Sequence, residues 1–351
     1  SAVAAGFYVQ VAHQIGAEND AEARNVVRHG LLTALVLAAG ARLRLARPEA
    51  GAVWEKTGHQ DLVTRCDRET EQFLRSGILS AFPGDAIVGE EYPATPPGGT
   101  GCVWYLDPID GTTNFVSQHR NYAVSVGCYQ DDVPAFGLVL DVERGALYSA
   151  RHGGGALRDE TPIHVSHCGV LRDALLTTPG VLHTFLREHP RRAGLVELAG
   201  AVRGVRSMGC VALELCAVAA GEAELFVALR SCPWDHNAAR IILAEAGGCI
   251  CALDGAPLPQ DTGSAVLAAC SRPLLEQVLA GISANTSSRE NGGRTVCPAE
   301  TAPLHRRILD RALPLNSRRA FCEARRLFCC TPGGVFRGKA PSIPTKASFA
   351  D

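Results

Sequence analysis

Apolar and polar positions along this chain change period several times, and each change marks an element. From Ala21 to Ala46 apolar residues recur at helical spacing, and the pattern stops before Pro48. This predicts an amphipathic first helix. Its continuous apolar stretch, Leu31 to Ala41, is far too short for a membrane span. A secretion signal is the second reading, with Arg24 and Arg28 before the stretch, but a long polar lead precedes it and the apolar spacing continues through Leu43 and Leu45, as a helix requires. The Gly-rich, polar segment 49–60 reads as a loop, and Asp61 to Phe82 as a second helix.

Short apolar runs then follow with period two. Ile87-Val88 runs into Gly89-Glu90-Glu91. Val103 to Asp107 reads as a buried strand that ends at Asp107, because Pro108 cannot continue a hydrogen-bonded ladder. Tyr122–Tyr129, Ala135–Asp141 and Ala146–Arg151 alternate as strands, and Gly153-Gly154-Gly155 closes this antiparallel meander. Later strands are expected at Ala174–Thr178, Val202–Ser207, Glu224–Ala228, Cys249–Leu253 and Ala265–Ala269. Helices are expected at Val181–Ala199, Val211–Ala220, Ala238–Ala246 and Arg272–Ile282, the third closed by Gly247-Gly248. Helix pairs alternating with antiparallel strands indicate an α+β fold.

The periodicity fades at both ends. Ser1 to Asp20 shows no strong pattern and reads as a loosely attached lead. From Ala284 onward six prolines and paired arginines leave no sustained period, so 284–351 reads as a disordered tail. Charge divides at the same place. The tail holds 12 Lys/Arg against 5 Asp/Glu, whereas the rest of the chain holds 22 against 31. An acidic body without a basic stripe argues against nucleic-acid binding by the core. The 14 cysteines are scattered, with no Cys-x-x-Cys pair, and Cys102, Cys128, Cys216 and Cys249 fall in apolar runs. These read as reduced core thiols in a cytoplasmic protein.

The chemistry gathers around Asp107-Pro108-Ile109-Asp110-Gly111-Thr112-Thr113-Asn114-Phe115. Asp107 and Asp110 stand three residues apart across a turn, so both carboxylates can converge on one point. Gly111 allows close backbone approach, and the threonines suit a helix start that can hold an anion. Carboxylates beside exposed N–H groups conflict unless divalent cations lie between them, and hard oxygen donors suit Mg²⁺. A capped turn with two solvated aspartates is the plainer reading of this stretch taken alone.

With Gly89-Glu90-Glu91, Trp234-Asp235 through Glu245-Ala246-Gly247-Gly248, and Lys56 followed by Asp61-Leu62-Val63-Thr64 and Asp67, the chain resembles the inositol monophosphatase family from about Ala21 to Ile282. That resemblance implies a layered α-β-α-β-α sandwich covering 21–283, in halves of about 21–168 and 169–283. It implies a Mg²⁺-dependent, Li⁺-sensitive phosphomonoesterase that acts as a homodimer on a small phosphorylated alcohol. Glu90, Asp107, Asp110, Asp235 and the Ile109 carbonyl would hold two or three Mg²⁺ ions. Glu90 and Thr112, helped by Asp67, would orient the attacking water, and the Gly111 and Thr112 N–H groups would hold the phosphate. Lys56 falls on the family's mobile loop near the metals.

The substrate pocket departs from the family pattern. The glutamate that grips inositol hydroxyls, seven residues before the Trp-Asp aspartate, is Ala228 here. The Gly-Thr-Ala turn facing the ring reads Gly209-Cys210-Val211, and Arg230 and His236 bring polar or cationic groups nearby, beside the substrate-facing Asp110. Inositol as the leaving alcohol is thus in question. A sugar phosphate, histidinol phosphate or nucleotide 3′-phosphate fits the same class, and a non-catalytic regulatory binding protein is the reading from a different class.

Overall fold

The computed structural model describes residues 20–47, 53–58, 61–96, 98–99 and 101–290; the expected lead and nearly all of the expected tail lie outside them. Helix α1 (Asp20–Leu45) forms where its spacing requires. Its stripe of Val26, Leu32, Val36, Ala39 and Leu43 is at most 2 % exposed. By length and composition α1 would also qualify as a membrane span, yet this stripe packs into the core as that of a core helix does.

The next stretch corrects two expectations. Instead of a loop over 49–60, strand β1 (Val53–Gly58) pairs antiparallel with β2 (Asp61–Thr64). Helix α2 (Arg65–Ala81) therefore begins four residues later than Asp61. Thr64 sets that start: its hydroxyl accepts from Cys66 N–H at 3.1 Å, while its own N–H donates to Asp67 at 2.8 Å. This reciprocal capping overrides helical spacing in the apolar Leu62-Val63 ahead of it.

A seven-stranded sheet follows, with β3 (Ala86–Gly89), β4 (Cys102–Asp110), β5 (Ala123–Gln130), β6 (Val133–Asp141), β7 (Ala146–Arg151), β8 (Ala156–Arg158) and β9 (Thr161–Ile163) lying in that order. Only β3 and β4 run parallel. Asp131 and Asp132, both left-handed with φ of 51° and 62°, make the two-residue turn between β5 and β6. That turn matches the natural strand twist, and aspartate tolerates it. The meander does not close at Gly155, because β8 and β9 extend it by a further hairpin. Nor does β4 end at Asp107. Asp107 pairs with Ser125 and Asp110 with Ala123, so three steps on β4 oppose two on β5. Pro108 sits in that bulge, where its missing N–H is not needed.

The second sheet has five strands in the order β11-β10-β12-β14-β13: β10 (Leu175–Thr177), β11 (Gly204–Arg206), β12 (Leu225–Ser231), β13 (Cys249–Ala252) and β14 (Ser264–Ala269). Helices α3 (Thr112–Gln118), α4 (Val181–Phe185), α5 (Arg192–Ala201), α6 (Val211–Ala219), α7 (Pro233–Glu245) and α8 (Arg272–Glu290) complete the described chain. The single helix expected over Val181–Ala199 is two helices, parted around Pro190, whose ring disfavours helix in the residue before it. Helix α8 continues past Ile282, so the first residues of the expected tail are helical.

Three buried clusters separate five layers. Leu32, Val36, Leu74 and Ile78 of α1 and α2 cover Trp104, Leu106 and Val126 on one face of the large sheet. Its other face, with Tyr105 and Val139, meets Leu213, Leu215, Ile241 and Ile242 of α6 and α7, which also cover Phe226, Ala228 and Val266 of the small sheet. Leu195 of α5 and Leu274, Leu275 and Val278 of α8 close the far face over Leu225, Val227 and Leu267. This is the α-β-α-β-α sandwich. Successive residues such as Trp104 and Tyr105, or Val227 and Ala228, face opposite layers, as strand alternation requires.

Candidate active site

Four elements converge where β3 and β4 end. Glu90 follows β3, Asp107 and Asp110 flank the β4 bulge, Thr112 opens α3, and Asp235 lies in the first turn of α7. Helix α7 reaches this place because Gly127 and Gly137, cross-strand partners, leave room for it. A Cβ on Gly137 would come within 2.3 Å of the Ala238 carbonyl oxygen, and one on Gly127 within 3.0 Å of Ala238 N. Gly111, at φ 91°, caps α3 in a conformation that other residues adopt only with strain.

The acids are not unpaired. Asp107 Oδ1 accepts from Ile109 N–H at 3.0 Å, and Asp235 Oδ2 from Cys232 N–H at 2.7 Å. Asp110 accepts from Val211 N–H at 3.2 Å and Ala212 N–H at 2.6 Å. Lys56 Nζ lies 2.7 Å from Glu90 and also pairs with Glu91. Among the described residues no three His, Cys, Asp or Glu side chains stand close enough to hold one ion between them. The carboxylates share an electrostatic neighbourhood without forming a closed cage.

They nonetheless repel one another, in addition to the cost of burying each. Burial first, then Glu90, Asp110 and Asp235, lift the Asp107 pKa well above the carboxylate range. Burial followed by Asp110 does the same to Asp235, and burial raises Asp110 to about 6. Cations compensate such a group of buried acids directly, and the donors here are hard oxygens, the set that suits Mg²⁺. Burial alone would lower the Lys56 pKa, but Glu90 and Glu91 carry it above its ordinary value.

Thr112 Oγ1 lies 2.9 Å from Asp67 Oδ1 and 3.0 Å from the Ile109 carbonyl oxygen. Asp67 is fully buried, and burial pushes its pKa up to about 6 against three stabilising bonds from Thr64 and Thr112. Gly209, Cys210 and Val211 also reach the site, since the amides that hold Asp110 begin α6 and the Cys210 thiol donates to the same carboxylate.

The remaining pocket positions divide. Ala228 is 1 % exposed within the core between the sheets and offers no polar group. A register shift between Ala228 and Ser231 then turns Arg230 outward, where its charge opposes the rise of the Asp235 pKa. His236 is not a cationic neighbour. It is fully buried, 2.9 Å from Ser231 Oγ, and burial lowers its pKa to about 4. Cys249 is half-buried rather than a core thiol, while Cys102, Cys128 and Cys216 are buried.

Glu71 went unread in the sequence. It is fully buried, accepts from Glu91 N–H at 2.7 Å and pairs with Arg75 at 3.1 Å, fixing the turn that carries Glu90. A Cβ on Gly89 would come within 2.1 Å of Glu71 Oε1, so the glycine admits that carboxylate. Its i,i+4 spacing to Arg75 was the available signal.

Residues 27–287 match the sequence model described as the Inositol monophosphatase family. The chain is 38% identical over 233 residues to an inositol-1-monophosphatase of Bacillus subtilis, covering 66% of this chain and 87% of that protein. A crystal structure of inositol monophosphatase-II from Staphylococcus aureus superposes with a TM-score of 0.63 at 32% identity, covering 72% of this chain and 94% of the other. An inositol monophosphatase structure from Anabaena gives 0.62 at 31% identity, with coverage of 72% and 94%.

Proposed function

The chain belongs to the inositol monophosphatase family, and from that premise we propose that this phosphomonoesterase uses Mg²⁺ at Glu90, Asp107, Asp110, Asp235 and the Ile109 carbonyl to hydrolyse a small phosphorylated alcohol. The observation that carries the reading is the group of buried acids whose pKa values raise one another. Bound Mg²⁺ would neutralise phosphate charge and lower the pKa of a bound water.

The chain's own residues supply the rest. Ionised Asp67 accepts a hydrogen bond from the Thr112 hydroxyl, which leaves a Thr112 lone pair free to accept from the attacking water and aim it. Glu90 is the second group that orients this water, after exchanging its partner Lys56. Gly111 and Thr112 N–H groups hold phosphate at the start of α3. At Ala228 the chain lacks the carboxylate a polyol needs, whereas exposed Arg230 adds charge that acts on Asp235. The favoured alcohol therefore carries a second anionic group or a less hydroxylated body than inositol.

Li⁺ inhibition, a homodimer and a cytoplasmic setting belong to the same proposal, supported by the family membership. The test is phosphate release across a panel of phosphomonoesters, with Mg²⁺ and with EDTA. Release that requires Mg²⁺ is expected; no release from any substrate, or full release in EDTA, overturns the reading.

A further inference from the structure

Resting on that reading, we propose that Glu214 is a positioning residue for the reaction: with Asn114 it locks the Met208-Gly209 turn, so that the Val211 and Ala212 N–H groups face Asp110. Glu214 lies in α6 and is fully buried. Its Oε1 accepts from Met208 N–H at 2.6 Å and Gly209 N–H at 3.1 Å. Asn114, from α3 in the other half of the chain, grips the opposite side of the turn. Its Nδ2 donates to Met208 O at 2.6 Å and reaches Gly209 O at 3.3 Å and Asn121 O at 2.9 Å. Gln118 donates to Asn114 Oδ1 at 2.8 Å, which fixes the amide's orientation.

The turn is thus held through both its donors and its acceptors. Gly209 adopts φ 77°, and a Cβ there would come within 3.0 Å of Asn114 Nδ2. Two residues further on, the Val211 and Ala212 amides grip Asp110. Losing Glu214 leaves two N–H groups without their acceptor, and the turn must shift to satisfy them. Asp110 then loses the orientation that presents it to cation and substrate.

One atom of Glu214 is not needed for this grip. Oε2 takes no backbone bond; the buried Thr177 hydroxyl is its neighbour and holds the Glu214 pKa down only in part. Burial raises the Glu214 pKa to about 8, so at neutral pH the side chain is mostly uncharged. A neutral amide has the same acceptor in the same place, which makes glutamine the conservative replacement.

The test compares Glu214→Ala, Glu214→Gln and Asn114→Leu in the full chain. Mg²⁺ affinity is read by calorimetry, KM and kcat on a phosphomonoester that the wild type hydrolyses, and Tm by thermal unfolding. Glu214→Ala is expected to raise both the Mg²⁺ Kd and KM about tenfold, with Glu214→Gln within about twofold of wild type. Asn114→Leu, which releases the turn from the other side, should move the same two constants upward if the alanine variant does not fold. A lowered Tm with unchanged Kd and KM would make Glu214 a structural residue only. A glutamine variant with Kd and KM raised tenfold would remove the acceptor argument. If the wild type hydrolyses no phosphomonoester the proposed function fails, but the three Mg²⁺ affinities still decide the role of Glu214.

Discussion

Asp67 Oδ1 and Thr112 Oγ1 lie 2.9 Å apart across 45 residues of sequence. The contact joins the first turn of α2 to the start of α3 and buries both groups. A hydroxyl has one proton, so a Thr112 that donates to Asp67 keeps its lone pairs for a water. Below the Asp67 pKa of about 6 that arrangement is lost.

Thr112→Ala and Asp67→Asn should therefore lower kcat about a hundredfold, within the range of positioned acid–base groups. Thr112→Ser keeps the hydroxyl and most of the rate. Steady-state kinetics with saturating Mg²⁺ check this; a Thr112→Ala enzyme within threefold of wild type would remove the relay.

Asp110→Asn and Asp235→Asn should fold and lose more than the roughly 10- to 100-fold typical of outer-shell partners. Each asparagine can still accept the backbone bonds from Ala212 or Cys232. What it cannot supply is charge for a cation. Circular dichroism and phosphate release with increasing Mg²⁺ separate the two effects, and an active Asp235→Asn protein would contradict the metal role.

Much of this site was legible because its motifs are short and local. Asp107 to Phe115 lies in one strand–turn–helix, where spacing alone brings two acids and a glycine together. The bulge was not legible, since Pro108 ends a strand in isolation and only pairing with Ser125 and Ala123 shows where it fits. The start of α2 was misplaced for a related reason. Asp61 to Thr64 suits helix or strand equally by pattern, and its pairing with Val53 to Gly58 decides. The Glu71 carboxylate shows in the sequence only as an i,i+4 partner of Arg75, and the Glu214 carboxylate bonds the Met208-Gly209 turn just ahead of its own helix, a contact that no apolar periodicity announces. Even so, the order of helices and strands sufficed for the α+β class, and the layering was what the family resemblance implied.

Buried ionisable groups predict how metal-free stability varies with pH. His29 and His236 are lowered to about 4, so they cost stability as pH falls below 6.5, the ordinary value at which the unfolded chain takes up their protons. Glu214 is raised from 4.5 to about 8, so the folded state holds its proton longer and stability falls as pH rises through that window. Between pH 6.5 and 8 each unfolded histidine loses its last half proton, a gain of about 0.4 kcal/mol apiece that is smaller than the loss from Glu214, and Asp107 and Asp235, which are also raised, act in the same direction as Glu214. Stability in chelator should drop over this interval, with about 2 kcal/mol from Glu214 at roughly 1.4 kcal/mol per pH unit. Urea unfolding at the two pH values measures it. Glu214→Gln should flatten the slope, and Mg²⁺ should offset the share of the aspartates.

Ending the chain after Glu290 should leave Tm and activity near those of the full chain. The buried stripe of α8 runs from Leu274 to Ile282, and Ile282 is 1 % exposed against α5, where Gly194 leaves it room. Loss of cooperative unfolding in the shortened protein would show that later residues contribute to the core.

Substrate preference tests the altered pocket. Family members that grip inositol do so through a carboxylate at the position of Ala228, and here that position is enclosed between the sheets. The strand irregularity after it exposes Arg230, whose charge acts on Asp235. A hydrogen bond to a charged group contributes about 1.5–3 kcal/mol, which corresponds to a roughly ten- to hundredfold effect on kcat/KM. Inositol 1-phosphate should accordingly be a mediocre substrate, and an alcohol phosphate bearing a second anionic group a better one. Arg230→Ala should depress the second by that factor while changing glycerol 2-phosphate, which has no further charge to offer, less than threefold. Because Arg230 is exposed and its hydrogen bond to the Cys232 thiol lies at the helix cap rather than in a core layer, the substitution should change Tm little. A wild type that ranks inositol 1-phosphate first, together with an Arg230→Ala enzyme of unaltered preference, would place the specificity of this pocket elsewhere.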